Sequence, residues 1–101
     1  MQTNVQIMNG KAVVKLRGRF DFSAHRAFRD SCNTCLDSAQ VKEIELDLGG
    51  VEYLDSSALG MLLMLKERAE AVAKRIVLSD CRGTVKQVLD IANFGQIFTI
   101  A

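Results

Sequence analysis

Few side chains in this sequence can do chemistry. The chain holds one histidine, His25, three cysteines, Cys32, Cys35 and Cys81, and a pair of hydroxyls, Ser56-Ser57, directly after Asp55. There is no G-x-S-x-G elbow and no phosphate-binding loop ending in Gly-Lys-Ser/Thr. The Gly49-Gly50 pair is not part of a G-x-G-x-x-G fingerprint. A catalytic site needs a nucleophile, a base and stabilising donors in one place, and this inventory does not assemble them. The expectation is a protein that is not an enzyme and has no cofactor of its own.

Cys32-Asn-Thr-Cys35 is the motif that argues otherwise. A redox C-x-x-C sits at a helix start, where the positive helix end lowers the thiol pKa. Here the pair falls inside a helical pattern, at positions on its apolar face, and reads as two small buried side chains on adjacent turns. Zinc would need a fourth ligand at a spacing the chain lacks. An odd cysteine count argues against a disulfide framework and fits a reducing compartment.

Composition narrows the field further. The 101 residues suit a single domain, 1–101. Lys plus Arg is 13 and Asp plus Glu is 12, for a formal net charge of +1. Such balance argues against nucleic acid or a membrane surface as partner, since both require a basic patch. The longest apolar run, Ala58 to Leu65, is far short of the ~18 residues of a membrane helix. The first residues lack the basic start and apolar stretch of a signal peptide. A cytoplasmic location is expected.

The pattern predicts β-β-α-β-α-β-α-β. Strands are expected at Val5–Ile7, Lys11–Arg17, Glu43–Leu48, Arg75–Ser79 and Gln96–Ile100, with Asn9-Gly10 as a hairpin turn. Ile44, Leu46 and Leu48 alternate with Glu43, Glu45 and Asp47, so one sheet face is covered and the other meets water. If the strands pair, that acidic face lies beside Lys15 and Arg17. Ser23 is the expected N-cap of a helix to about Ser38, carrying Ala24, Ala27, Phe28, Cys32, Cys35 and Leu36 on its apolar face. Thr84 with Gln87 forms a capping-box pattern for a third helix, which ends before Gly95. The result is an α/β fold: a mixed sheet of four to five strands, with helices packed mainly on one face.

The second helix, starting at Asp55 or Ser56 and reaching about Lys74, carries the most information. Ala58, Met61, Leu62, Leu65, Ala69, Val72 and Ala73 share one side and predict the core stripe. Lys66, Glu67, Glu70 and Lys74 mark the solvent side. Ser56, Leu59, Gly60 and Leu63 form a second line at i, i+3, i+4 and i+7. Gly60 costs roughly 1 kcal/mol against alanine in a helix, which close approach of another backbone would offset. The line reads either as leucines covered by a neighbouring loop with Ser56 merely a cap, or, with Gly60 in favour, as a docking stripe headed by a hydroxyl. A phosphate on Ser56 would add about −1.5 to −2 charge at a helix N-terminus, which tolerates it, while an apolar or acidic partner surface would not. The whole chain would move only to about −0.5 to −1, so such a switch acts locally.

Leu48-Gly49-Gly50-Val51-Glu52-Tyr53-Leu54-Asp55-Ser56-Ser57-Ala58-Leu59-Gly60 resembles the signature of STAS domains, in particular the bacterial anti-anti-sigma factors. That pattern runs Asp-Ser-Ser/Thr-Gly-Leu-Gly after a strand and loop. Gly18-Arg19-Phe20-Asp21 resembles the family's Gly-x-Leu/Phe-Asp step, and Val85 to Asp90 followed by Phe94 is also similar. Ala58 stands where many members have glycine.

The resemblance covers essentially the whole chain and implies a single STAS domain in a partner-switching phosphorelay. The unphosphorylated form would bind an anti-sigma factor that is also a serine kinase of the histidine-kinase-like ATPase type. Phosphorylation at Ser56 would release it, and a metal-dependent serine phosphatase would reverse the step. ATP and metal would belong to those partners. Asp21 matches the family's acidic residue near the phosphorylation site. Asp21, Asp55, Ser57, Leu59, Gly60 and Leu63 are the expected partner-binding residues, on a monomer. The alternative is a STAS scaffold or transporter-associated subunit acting by protein or ligand binding without phosphorylation. The absence of a fused segment argues mildly against it.

Overall fold

The computed structural model describes residues 1–101. Asn9 and Gly10 take positive φ values of 52° and 81° and close a hairpin. It joins β1 (Gln2–Met8) to β2 (Lys11–Phe20) as an antiparallel pair. A 3₁₀ turn (Phe22–Ala24) leads into α1 (His25–Asp37), followed by β3 (Glu43–Leu54), α2 (Ser56–Ala71), β4 (Arg75–Ser79) and α3 (Gly83–Ile91). A second 3₁₀ turn (Phe94–Gln96) precedes β5 (Thr99–Ile100). The expected element order holds, with β1, β2 and β3 each longer than the periodicity predicts.

The sheet order is β1-β2-β3-β4-β5, the same as the chain order. β2, β3, β4 and β5 run parallel. Each helical crossover thus steps one place in the same direction. Because such crossovers are right-handed, they set the helices on one face of the sheet. All 26 buried residues are hydrophobic and form one cluster. Ile44, Leu46 and Leu48 lie in it, as their alternation requires.

The other face is charged and β2 pairs with β3 as expected, Lys15 standing beside Asp47, but the ion pairs form earlier in the strand. Lys11, not Lys15 or Arg17, bridges to β3, with its Nζ 2.7 Å from Glu45 and 3.6 Å from Glu43. Arg75 approaches Glu43 at 3.3 Å. Arg17 instead lies over Gly50, where an added Cβ would come within 2.7 Å of Arg17 Cγ and 2.9 Å of the Leu16 carbonyl. Close approach of β2 is what requires glycine there.

The helix ends depart from the sequence pattern in instructive ways. Asp21, not Ser23, is the capping residue: its carboxylate accepts from the Ser23 amide at 3.0 Å and the Ser23 hydroxyl at 2.5 Å, opening the 3₁₀ turn before α1. Thr84 lies inside the first turn of α3, so the Thr84–Gln87 box does not form; Arg82 occupies the cap position without a side-chain bond. Gln96–Ile100 is not one strand. Phe94 and Phe98, four residues apart, both enter the core and stack at 5.3 Å, which winds the chain into a turn and leaves two residues for β5.

α2 stops at Ala71, and Ala73 takes a positive φ of 57°. Val72 and Ala73 are consequently exposed rather than part of the core stripe. Lys74, expected in solvent, turns inward. Its ammonium donates to the carbonyls of Cys35, Leu36 and Ser38 at 3.0, 2.8 and 2.5 Å. These belong to the C-terminal end of α1, where carbonyls lack helical partners and the dipole favours a cation. Lys74→Met should therefore cost about 2 kcal/mol. In thermal unfolding the midpoint should fall by roughly 10 °C; a fall under about 2 °C would refute the capping role.

Cys32 and Cys35 are buried on α1 with free thiols. Burial first, then the neighbouring Cys35, pushes the Cys32 thiol up to about 12, and burial also raises Cys35. Thiols held this far from ionisation are poor nucleophiles. At pH 7.5 the folded protein should resist iodoacetamide at both sites, and mass spectrometry should show alkylation only after unfolding.

Candidate functional site

The site is built by the register of β2 against β3. Lys11 pairs with Glu43, and that register carried on unbroken would set Phe20 against Glu52. Two irregularities intervene, between Lys15 and Arg17 and between Gly18 and Arg19, each adding one residue on β3. Phe20 therefore faces Leu54. The core contacts of β3 change from every second residue to every third, and Leu48, Val51 and Leu54 are all buried. The residues that follow the Phe20–Leu54 pair, Asp21 and Asp55, leave the sheet side by side at the same end.

Both aspartates do the same local work. Asp21 has φ −126° and ψ −168°; Asp55 has φ −123° and ψ −173°. Asp55 accepts from the amides of Ser57 at 3.0 Å and Ala58 at 3.2 Å and so caps α2. Ser56 is then the first helical residue, exposed, one position from a carboxylate already engaged by the backbone. Ser57 is half-buried. The Asp21 carboxyl is held below its ordinary pKa, first by the Ser23 hydroxyl, then by the Ser23 amide and Arg19.

Beyond Ser56, Gly60 and Leu63 continue the exposed line along α2. No atom lies within 4 Å of where a Gly60 Cβ would stand, so packing within the domain does not require glycine there. Leu59 departs from expectation: it is only partly exposed and packs against the core.

Other groups at this site were not marked by sequence. Arg19 and Tyr53 are register partners, and the guanidinium carbon sits 4.2 Å above the ring centroid. Arg19 also reaches Asp21, Nε to Oδ2, at 3.4 Å. Phe22 is 75% exposed and stacks on His25. Met64, 61% exposed, lies beside Leu63 on α2. Its position on the helical wheel, near Gly60 and Arg68, was the one signal available for any of them. The Arg19–Tyr53 contact depends on the β3 bulges, which alternation does not reveal. No group of three or more His, Cys, Asp or Glu side chains is placed to hold a metal ion. No helix is long and apolar enough to cross a membrane.

A family model described as Mlab, STAS domain, matches residues 3–99. A STAS-domain containing protein of Pseudomonas aeruginosa is 41% identical over 88 residues, covering 87% of this chain and 85% of that protein. An anti-sigma F factor antagonist of Lysinibacillus sphaericus is 29% identical, covering 82% and 71% respectively. Among solved structures, an anti-sigma factor antagonist from Mycobacterium paratuberculosis has the same fold, with a TM-score of 0.84 at 22% identity over 98% of this chain and 83% of that one. The anti-sigma factor antagonist SpoIIAA in its unphosphorylated form does so with a TM-score of 0.75 at 24% identity, over 99% and 87%. From the Asp55-Ser56-Ser57 helix start through the five-stranded sheet to the family match along nearly its whole length, this chain belongs to the STAS domain family.

Proposed function

We propose that this chain is an anti-sigma factor antagonist switched by phosphorylation at Ser56. The observation that carries the reading is the placement of Ser56: an exposed hydroxyl at the first position of α2, directly after its capping aspartate, at the head of an exposed line with Gly60 and Leu63. Relatives named as anti-sigma F factor antagonists support it. So does the likeness to SpoIIAA, a protein also solved in a phosphorylated form.

In this reading the unphosphorylated domain docks an anti-sigma factor that is itself a serine kinase of the histidine-kinase-like ATPase type. Asp21, Asp55, Ser57, Leu59, Gly60 and Leu63 form the contact. The kinase transfers the γ-phosphoryl group of ATP to Ser56 Oγ, ADP leaves, and the hydroxyl proton passes to a base of the kinase. A metal-dependent serine phosphatase hydrolyses the ester. The chain catalyses nothing itself; it works in the cytoplasm as a monomer. Release follows from electrostatics. Unpaired or like-charge penalties of a few kcal/mol at the contact weaken binding by roughly 100-fold. The Asp55 cap is made by backbone amides and does not depend on the Ser56 hydroxyl, so the domain stays folded.

With the cognate kinase and labelled ATP, the wild type should incorporate phosphate and Ser56→Ala should not. Labelling that persists in Ser56→Ala and disappears in Ser57→Ala would move the site by one residue. Binding of the kinase without any labelling would favour the STAS subunit that acts by binding alone. Leu63→Asp puts a carboxylate into the stripe at an exposed position. By calorimetry it should weaken kinase binding at least about tenfold with an unchanged melting temperature. Unchanged affinity would remove Leu63 from the contact.

A further inference from the structure

A second surface lies on the α1 side of α2, apart from the Ser56 line. Phe28 and Cys32 of α1 and Met61 and Leu65 of α2 form the floor of an apolar groove between the two helices, and Met64 forms part of its wall. The rim is cationic. Arg29 and Arg68 line it, with His25 at one mouth. Neither arginine has a carboxylate within ion-pair distance. Arg68 is fixed across the groove by a 2.6 Å hydrogen bond to the neutral Asn33 side chain. The nearest carboxylates in sequence, Asp30 and Glu67, are not among the lining groups.

The distribution of charge indicates the occupant. Both helices are crossovers between parallel strands, so they run side by side in the same direction. The lining residues run over seven residue steps on each helix, from 25 to 32 and from 61 to 68, which at 1.5 Å per step is about 10 Å, or two helical turns. The two permanent cations stand at different levels along that length: Arg29 one turn on from the His25 end, and Arg68 at the other end beside Asn33. A single-headed amphiphile would need its cation at one end only. Carboxylates repeated along an apolar edge are what this arrangement matches, and guanidinium groups engage carboxylates in bidentate geometry. Exposed methionine suits such a groove because its flexible, polarisable side chain moulds to an incoming apolar residue.

We infer that the α1–α2 groove is a docking site for an acidic amphipathic helix of a protein partner, separate from the Ser56 contact and independent of whether Ser56 is modified. The test uses two synthetic helical peptides with leucine at i, i+3, i+4 and i+7, one flanked by glutamates and one by lysines. Binding is followed through the methyl resonances of Met61, Leu63 and Met64. The glutamate peptide should shift both methionine methyls and bind at least about tenfold more tightly than the lysine peptide. Arg29→Glu with Arg68→Glu should abolish that preference. Met64→Glu, at an exposed position, should weaken binding while leaving the thermal midpoint in place. Equal binding of the two peptides would overturn the proposal, as would shifts at Leu63 alone. Octanoate displacing the glutamate peptide at equal concentration would assign the groove to a small amphiphile instead.

Discussion

The pairing of β2 with β3 is the constraint on which the rest of this molecule depends. Two parallel strands of unequal residue count must finish together, and the two extra residues of β3 are absorbed as bulges. Gly50 makes the first possible, because a side chain there would collide with the Leu16 carbonyl and the Arg17 side chain. The reward is that Phe20 and Leu54 end level and buried. Asp21 and Asp55 then leave the sheet in nearly the same conformation and each starts a helical turn. A shift of one residue in either bulge would reverse the face of every residue beyond it and separate the two aspartates.

That geometry also leaves the Ser56 hydroxyl outside the bonds that hold α2 in place. The bonds that start α2 run from backbone amides to the Asp55 carboxylate. The far side of the helix is anchored by Ala58, Met61, Leu62, Leu65 and Ala69. Neither set involves the Ser56 hydroxyl. A charge added to that oxygen is therefore felt by whatever faces the helix, and hardly by the core. The net charge of +1 makes the same point from another direction. In the proposed reading one phosphate would change little globally, so selectivity would arise at the contact.

Periodicity was legible wherever one face of an element is buried and the other is wet. The alternation from Glu43 to Leu48 and the stripe from Ala58 to Ala69 both survive into the structure. Reading failed where a single long-range contact overrides the local pattern. Lys74 looks like a solvated residue on a helical wheel, yet the open carbonyls of α1 draw it inward. Phe94 and Phe98 turn an expected strand into a helical turn because their spacing suits the core better that way. Within the candidate site, the Asp55-Ser56 helix start was readable because capping chemistry is local. Arg19 against Tyr53 was not, because it depends on how many residues the bulges insert.

α2 gathers these threads. A helix on a one-faced sheet ordinarily shows one apolar side and one polar side. α2 buries Ala58, Met61, Leu62, Leu65 and Ala69, and still leaves Leu63 and Met64 exposed next to each other. Adjacent residues on a helix point 100° apart, so the two side chains belong to different surfaces. Leu63 continues the line from Ser56, and Met64 closes the wall of the groove with α1. Folding alone explains neither, since each could be polar without loss to the core. Two exposed apolar residues in succession on a helix with an otherwise charged outer end, Lys66, Glu67 and Glu70, fit a helix that presents separate faces to separate contacts. The helix that carries Ser56 is then also the wall of the second surface. A partner in the groove would touch the same helix as a kinase at Ser56, and whether the two can be bound together depends only on how far each spreads across the width between Leu63 and Met64.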